Sequence, residues 1–244
     1  MDLTREVTGV VAVYLAYQRG RILARDQAAE AFANARRVID FERRLHLFSE
    51  RTVQSLSMHY DGVMWLLNHY YARVHFPLTT AFVIWLFFRH RETYGWVRNW
   101  LISVTMIALV IHVAFPLAPP RMLGSHGFID TLRLDGLHIY SVDPHQSLAN
   151  QFAAMPSLHF GWALIIAIAF IAARRTPWSV VALAHPAITL VAIVATANHY
   201  WIDAAVALLV VTGALVIVRT IHLRRAGRQQ IRGAAESSAK LADC

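Results

Sequence analysis

Residues 153–162, AAMPSLHFGW, mark the point where a polar loop gives way to an apolar segment. Pro156 disfavours helix at the residue before it and Ser157 is a favourable helix cap, so a helix is predicted to begin here, with His159 in its first turn. The free amides of that turn and the positive end of the helix dipole favour a bound anion. A histidine in this place can give a proton to the leaving oxygen of a bound phosphate. On this stretch alone, a capped membrane helix with an incidental interfacial histidine explains the sequence equally well.

The composition indicates a membrane protein. Of the 244 residues, 57% are hydrophobic, and several long runs carry almost no charge, as in polytopic membrane proteins. No linker-like stretch divides the chain, so one domain is predicted. The net charge of +8 comes almost wholly from arginines in loops and tails, which favours contact with lipid headgroups over binding of nucleic acid. The single cysteine, Cys244, is the last residue, so neither an internal disulfide nor a cysteine metal site is expected.

Six apolar segments are predicted to cross the membrane as helices: residues 6–23, 70–88, 97–115, 158–173, 178–197 and 200–218. No removable signal peptide is expected before the first. Residues 24–58 are amphipathic, which predicts a helix in the membrane interface, with a helix packed on a loop as the alternative. The predicted fold class is therefore an all-α polytopic membrane bundle of about six spans with an interfacial amphipathic helix. Residues 1–218 form its single domain, and residues 219–244 are predicted to be a basic, disordered cytoplasmic tail.

The distribution of arginines predicts the orientation of the spans. With six spans, one side of the membrane holds the N-terminus, residues 89–98, the turn at Arg174 and the C-terminal tail. The positive-inside tendency makes that side cytoplasmic. We therefore expect a multi-pass protein of the plasma membrane whose active site is on the extracytoplasmic face. Eight arginines between Arg19 and Arg51 oppose this arrangement. If residues 56–71 were themselves a span, those arginines would be cytoplasmic, and the later spans would keep their orientation.

Further polar segments are predicted on the extracytoplasmic face. Residues 116–121, PLAPPR, cannot continue a helix, so Arg121 is held on a stiff segment at the membrane surface. The polar loop at residues 122–155 is long enough to indicate a functional role. Between the last two spans, His199 and Asp203 share a helical face, where the carboxylate can orient the imidazole as a nucleophile or base. Alone, such a pair is more often a structural ion pair, but ionisable groups that recur at one membrane face favour a functional site.

The order and spacing of these motifs resemble those of the type 2 phosphatidic acid phosphatase superfamily. The Pro-Ser-x-His motif that ends at His159 resembles its second signature, and the His-x-x-x-Asp motif of His199 and Asp203, about forty residues on, resembles its third. The surrounding sequences PLAPPR, AAMPSLH and NHYxxD are closer to the branch that includes inositol phosphorylceramide synthase, and the resemblance covers roughly residues 60–218. It implies a lipid phosphatase or headgroup phosphotransferase in which His199 attacks phosphorus to form a phosphohistidine, Asp203 orients it, and His159 protonates the departing oxygen. No cofactor or metal is implied.

The chain also departs from the superfamily's pattern. The first signature has a lysine seven residues before its arginine, where this chain has Ala114 if Arg121 is that arginine. The third has an arginine six residues before its histidine, where this chain has Ile193. We therefore expect Arg121, Ser157, Asn198 and the amides of the helix end to hold the phosphate, with an arginine or histidine of the long loop as a supplement. Because a phosphodiester carries less charge than a monoester, the missing cations favour a phosphodiester lipid or headgroup transfer.

The remaining histidines are assigned first to structural roles. His69 and His75 flank the entry to the second span, where interfacial anchoring or a hydrogen bond in the core is the simpler explanation, and His75 is the better candidate for the site. The sequence has no His-Glu-x-x-His motif, so a zinc hydrolase is not expected. Two classes of function remain. One is an enzyme that acts on a lipid phosphate or phosphodiester, with water or a hydroxyl as acceptor, and the other is a non-catalytic lipid-binding or transport protein.

Overall fold

The structure, a computed structural model, describes residues 3–23, 27–60, 62–137 and 151–242. The middle of the predicted polar loop, residues 138–150, lies outside the described residues. Within these ranges the chain contains no strand, and one isolated β-bridge pairs Leu117 with Ala153. The helices are α1 (Leu3–Leu23), α2 (Ala28–Arg44), α3 (Glu50–His59), α4 (Val63–Arg89), α5 (Arg91–Ala114), α6 (Thr131–Leu134), α7 (Leu158–Arg174), α8 (Pro177–Ala195) and α9 (Trp201–Ala242).

The all-α polytopic membrane bundle is confirmed. Four segments are long and apolar enough to cross a membrane, namely α4, α5, α8 and the part of α9 at Trp201–Ile221. Helix α7 is apolar but has 17 residues, and α1 has 21 residues with polar interruptions, so each of the six predicted segments is helical. Glu6 joins α1 to α5, because it accepts a hydrogen bond from the Tyr94 hydroxyl (3.1 Å) and forms an ion pair with Arg98.

Helix α4 begins earlier than the sequence predicts. Gly62, in the left-handed region at φ 84°, separates it from α3. From Val63–Arg89 the helix runs without a break, through a π-helical turn at Tyr70–Val74. Pro77 cannot donate to the carbonyl four residues before it, which lies inside that turn, and local rewinding of this kind accommodates a proline. Residues 56–71 are therefore not a separate span, and the alternative topology built on such a span is wrong.

The segment predicted as one interfacial helix, residues 24–58, contains two helices, α2 and α3. The turn between them includes His46, whose φ is 57°. The buried face of α2, with Ala35 and Ile39, packs against Leu117 and Phe152 of the loops. Large apolar side chains elsewhere in this region remain exposed: Phe41, Leu45, Leu47, Leu56 and Met58. One face thus packs on a loop, as the alternative proposed, and the exposed apolar side chains are those an interfacial helix presents to lipid.

The last helix continues beyond the membrane span. The sequence predicts disorder from Arg219 onward, whereas α9 extends to Ala242. Alanine, arginine and glutamine, which are frequent in residues 219–242, have high helix propensity, and a helix that has already formed in a span can extend at little cost. The lack of an apolar repeat therefore did not prevent helix formation here.

Helices α5, α7 and α9 approach closely beside the site. Trp100 of α5 is fully buried, and its Nε1 donates to the carbonyl of Val211 in α9 (2.8 Å). Gly161, in the first turn of α7, faces the same part of α9, because a Cβ atom there would lie 3.4 Å from Cγ2 of Val211. Small residues allow membrane helices to pack at short distance. This contact fixes the start of α7, and with it His159, against α9.

Candidate active site

Three loop segments meet at one end of the bundle. Leu117 donates its backbone N–H to the carbonyl of Phe152 (2.8 Å), and Ala154 donates to the carbonyl of Leu117 (3.3 Å). Arg121 donates its backbone N–H to the carbonyl of Ala197 (2.7 Å). These bonds bring together the three segments in which the sequence predicts site residues: the segment that ends at Arg121, the segment before α7 and the turn between α8 and α9.

The His199 ring is held by two acceptors. Its Nδ1 lies 2.8 Å from the carbonyl oxygen of Ala154 and 3.3 Å from Oδ2 of Asp203. A carbonyl oxygen only accepts hydrogen bonds, so Nδ1 carries the hydrogen and Nε2 keeps its lone pair. Asp203 is fully buried, and its Oδ2 also accepts the backbone N–H of Tyr200 (2.9 Å). The predicted pair is therefore present, but the shorter bond goes to a backbone carbonyl that the sequence does not identify.

His159 lies beside His199 in a different kind of environment. The two ring centroids are 5.8 Å apart, and the planes are inclined at 61°. The ring of Tyr71 stacks on His159 with centroids 4.4 Å apart, and Phe76 contacts it edge to face at 5.1 Å. Among the described residues, aromatic rings rather than hydrogen-bond partners position this imidazole.

The predicted helix start at Ser157 matches the structure. Helix α7 begins at the next residue, and the Ser157 hydroxyl oxygen accepts the N–H of Phe160 (3.4 Å). The N–H of Ser157 donates to the carbonyl of Asp203 (3.2 Å). His112 of α5, which the sequence analysis did not place in the site, lies with Nε2 3.2 Å from the carbonyl of Pro156. Both contacts fix the turn that precedes His159 in the chain.

Arg121 has a buried side chain with fixed partners. Its Nε donates to Oδ1 of Asn198 (3.0 Å), and Nη1 lies 3.3 Å from Oδ2 of Asp130. The amide nitrogen of Asn198 donates to the Thr196 hydroxyl (2.8 Å). The sequence predicts that Asn198 contacts phosphate, whereas in the structure its side chain orients the Arg121 guanidinium. The negative charge of Asp130, which the sequence does not identify, partly offsets the positive charge of Arg121, and the same carboxylate oxygen also pairs with Arg133 (3.4 Å).

A small, partly open cavity lies beside Arg121 and His199. Its lining includes His199, Arg121 and Asn198 together with Tyr71 and Gln151, which were not predicted. Among the described residues that line it, Arg121 is the only arginine or lysine. The two positions at which cations are absent differ from each other: Ala114 is exposed at the end of α5, and Ile193 is fully buried.

His75 continues a row of histidine rings away from the cavity. It is fully buried, with its ring centroid 5.0 Å from that of His159 and 5.6 Å from that of His185. Within the described residues neither ring nitrogen of His75 has a hydrogen-bond partner. His185 is bonded to the Tyr70 hydroxyl (2.7 Å). His69, in contrast, stacks on a tryptophan at the surface and bonds to its carbonyl (2.9 Å), as expected of an interfacial anchor. No group of three or more His, Cys, Asp or Glu side chains in the described ranges is arranged to hold a metal ion.

Two glutamates from the amphipathic segment reach the site from the other side. Glu42 of α2 and Glu50 of α3 are both fully buried. An oxygen of Glu42 accepts the backbone N–H of Ile202 (2.9 Å), and an oxygen of Glu50 accepts that of Trp201 (3.1 Å). Burial, together with Glu50, raises the pKa of Glu42 to about 9. Burial and the nearby carboxyl groups also raise the pKa of Tyr200. In the sequence these two acids look like ordinary members of a polar helix face.

Comparison with known proteins identifies one family. A family model described as the PAP2 superfamily matches residues 36–217, which is more than half of the chain. The matched range contains His159, His199 and Asp203, and also the two buried glutamates. No curated protein and no solved structure matches the chain significantly.

Proposed function

The chain belongs to the PAP2 superfamily of membrane lipid phosphatases and phosphotransferases, and we propose that it transfers phosphoryl groups through a phosphohistidine on His199. The hydrogen bond from Nδ1 of His199 to the carbonyl of Ala154 (2.8 Å) carries this proposal. It leaves the lone pair on Nε2 of a residue that lines the cavity. A neutral imidazole that is fixed through its other nitrogen is suited to nucleophilic attack.

In the first step, Nε2 of His199 bonds to phosphorus while the bond to the leaving oxygen breaks. Protonated His159 gives its proton to that oxygen, so the lipid leaves as an alcohol. The carboxylate of Asp203 stabilises the positive charge that develops on the His199 ring. Arg121 donates hydrogen bonds to the non-bridging oxygens, where negative charge accumulates. The Ser157 hydroxyl, which caps the start of α7, and the amides of that turn are assigned to the same task.

In the second step, an oxygen nucleophile releases the phosphoryl group. His159, now neutral, takes the proton of water or of an alcohol as the oxygen bonds to phosphorus and the bond to Nε2 of His199 breaks. Both histidines return to their starting states, and no metal or cofactor takes part. His75, whose ring nitrogens lack partners within the described residues, is assigned to the support of His159, because the two rings are neighbours.

We assign the substrate to the phosphodiester lipids, as in the inositol phosphorylceramide synthase-like branch, with a hydroxyl compound as acceptor. The support is electrostatic. Arg121 is the only arginine or lysine among the described residues that line the cavity, and Asp130 lies 3.3 Å from it. A site with so little net positive charge suits a phosphate group that carries one negative charge better than a group that carries nearly two.

The site is assigned to the extracytoplasmic face of the plasma membrane. It lies where α5 and α8 end and α7 and α9 begin. The opposite ends of these spans carry Arg91, Arg174, Arg175 and Arg219, which the positive-inside tendency places in the cytoplasm. A cysteine introduced at Gly124, which is exposed, should react with a membrane-impermeant reagent from outside intact cells. Labelling only from the cytoplasmic side would reverse the assignment.

The proposed function is tested by turnover and binding together. Purified protein is incubated with labelled lipid phosphomonoesters and phosphodiesters, with and without an added alcohol, in the presence and absence of EDTA. We expect products from phosphodiesters, unchanged by EDTA, and no turnover by His199→Ala although lipid binding is retained. His69→Ala is the matched control, because that histidine is at the surface away from the cavity. Weaker lipid binding by His199→Ala, with no turnover by the wild type on any lipid, would instead support a non-catalytic lipid-binding or transport protein.

A further inference from the structure

Glu42 and Glu50 cap the helix that carries Asp203. The first amides of a helix have no partner within the helix. In α9 the N–H of Trp201 donates to Glu50 (3.1 Å), and the N–H of Ile202 donates to Glu42 (2.9 Å). The caps therefore come from distant helices: Glu42 of α2 lies 160 residues before Ile202, and Glu50 of α3 lies 151 residues before Trp201. The Trp201 ring adds a third contact, from Nε1 to the Ser49 hydroxyl (3.0 Å).

The second oxygens of the two carboxyl groups have no such partner. Oε2 of Glu42 and Oε2 of Glu50 are both buried, and neither has a hydrogen-bond partner within the described part of the chain. Two ionised carboxylate oxygens cannot form a hydrogen bond with each other, because each can only accept a hydrogen. A proton on one of them would supply the missing donor to both. The charged neighbours of Glu42 are Glu50 and Asp203 of α9, and both are acidic. Ionising both Glu42 and Glu50 would therefore be costly.

We propose that Glu42 and Glu50 share a single proton and act as positioning residues that hold the first turn of α9, with Asp203 and His199, in its working geometry. This inference rests on the proposed function only for its effect on the reaction. The remaining single negative charge lies at the positive end of the α9 dipole, where it is favourable. The raised pKa of Glu42, about 9, agrees with a proton that is retained at neutral pH.

Glutamine substitutions test the shared proton. In Glu42→Gln or Glu50→Gln, the amide oxygen can still accept the backbone N–H, and the amide nitrogen can donate to the remaining carboxylate, as the proton does. Each single variant should lower kcat by less than about threefold, whereas each alanine variant should lower it by about thirtyfold or more, because a buried acceptor and a helix cap are lost. In the double glutamine variant two amide donors face each other, so its loss should be at least as large as that of either alanine variant.

A spectroscopic measurement separates this inference from the proposed function. The infrared carbonyl band of a protonated carboxylic acid should be present in the wild type at neutral pH and absent from both single glutamine variants. Glu30→Gln, at an exposed position on α2, is the matched control and should keep the band and full activity. Two results would overturn the shared proton. One is a change in unfolding temperature in the double variant that equals the sum of the changes in the single variants. The other is a carbonyl band that survives either single substitution. If no lipid is turned over, the band and the non-additive unfolding temperatures still decide it.

Discussion

His199 and His159 are neighbours in the site, yet the protein holds them by different means. His199 is fixed through Nδ1 by the Ala154 carbonyl and Asp203, at 2.8 and 3.3 Å, and Asp203 belongs to a turn that two buried glutamates cap. His159 is enclosed by the rings of Tyr71, Phe76 and His75, and no hydrogen bond from its ring is found within the described residues. Hydrogen bonds select one tautomer, whereas aromatic packing restricts the ring without selecting its protonation state. The difference suits the roles proposed for the two residues, a nucleophile that stays in one form and an acid that must give and take a proton.

The largest expected effect is that of removing the fixed histidine. His199→Ala should lower kcat by about 10⁴-fold or more, because the covalent step has no other nucleophile. The variant should also carry no acid-labile phosphate after incubation with substrate. Rate measurements and trapping of the labelled protein check this. An adduct of unchanged yield in the variant, or one mapped to His159, would mean that the two roles are reversed.

The second effect depends on the leaving group. His159→Ala should lower kcat by about 10²-fold to 10⁴-fold for a lipid alkoxide, which needs a proton as it leaves. A substrate that releases a phenol of low pKa should recover most of that rate, since its oxygen leaves unprotonated. The same substrate should not rescue His199→Ala, which makes the pair of variants an internal control. Equal rescue of both variants would remove the distinction between nucleophile and acid.

A smaller effect is expected for the carboxylate. Asp203→Asn removes the charge that stabilises the His199 ring, but the Ala154 carbonyl can still hold the hydrogen on Nδ1. We therefore expect kcat to fall by about 10-fold to 100-fold, less than where a carboxylate alone sets the tautomer. Measurement of kcat for Asp203→Asn and for His199→Ala checks this expectation. A loss as large as that of His199→Ala would show that the backbone carbonyl does not preserve the tautomer.

The smallest effect is on stability and depends on pH. The pKa of Glu42 rises from 4.5 to about 9 on folding, so between these values the folded protein keeps a proton that the unfolded chain releases. The free energy of unfolding should therefore fall as pH rises through this window, by at most about 1.4 kcal/mol per pH unit. Unfolding temperatures in detergent at several pH values should show a shallower slope for Glu42→Gln than for the wild type. Glu30→Gln should keep the wild-type slope, and identical slopes for all three proteins would contradict the assignment.

Local signals in the sequence predict the frame of the site. The start of α7 follows from Pro156 and Ser157, which act on neighbouring residues. The pairing of His199 with Asp203 follows from their spacing of four, although the predicted shared helical face is not formed, because His199 lies in the turn before α9, which begins at Trp201. The apolar segments likewise follow from composition. The sequence predicts the start of α4 too late, because aromatic residues at a membrane surface resemble a helix end, whereas the helix begins at Val63.

The partners of these groups could not be predicted, because they come from distant parts of the chain. Ala154 meets His199 through a backbone carbonyl, which has no residue-specific signal and lies 45 positions away. Asn198 contacts Arg121 over 77 positions, so its role in orienting the guanidinium is visible only after the loops have met. Glu42 belongs to a helix whose amphipathic pattern predicts an exposed charge, and the folded structure buries it instead.

The capping of α9 by Glu42 and Glu50 also bears on biosynthesis. Both glutamates leave the ribosome long before α9 does, and until the last span is inserted their acceptor oxygens have no amide to bind. The site can be completed only after the start of α9 has been synthesised and inserted. A product that stops before the turn at His199 lacks both the proposed nucleophile and the helix start that the glutamates hold, so it should have no phosphoryl-transfer activity. The same contact that shapes the mature site thus ties its appearance to the synthesis of α9.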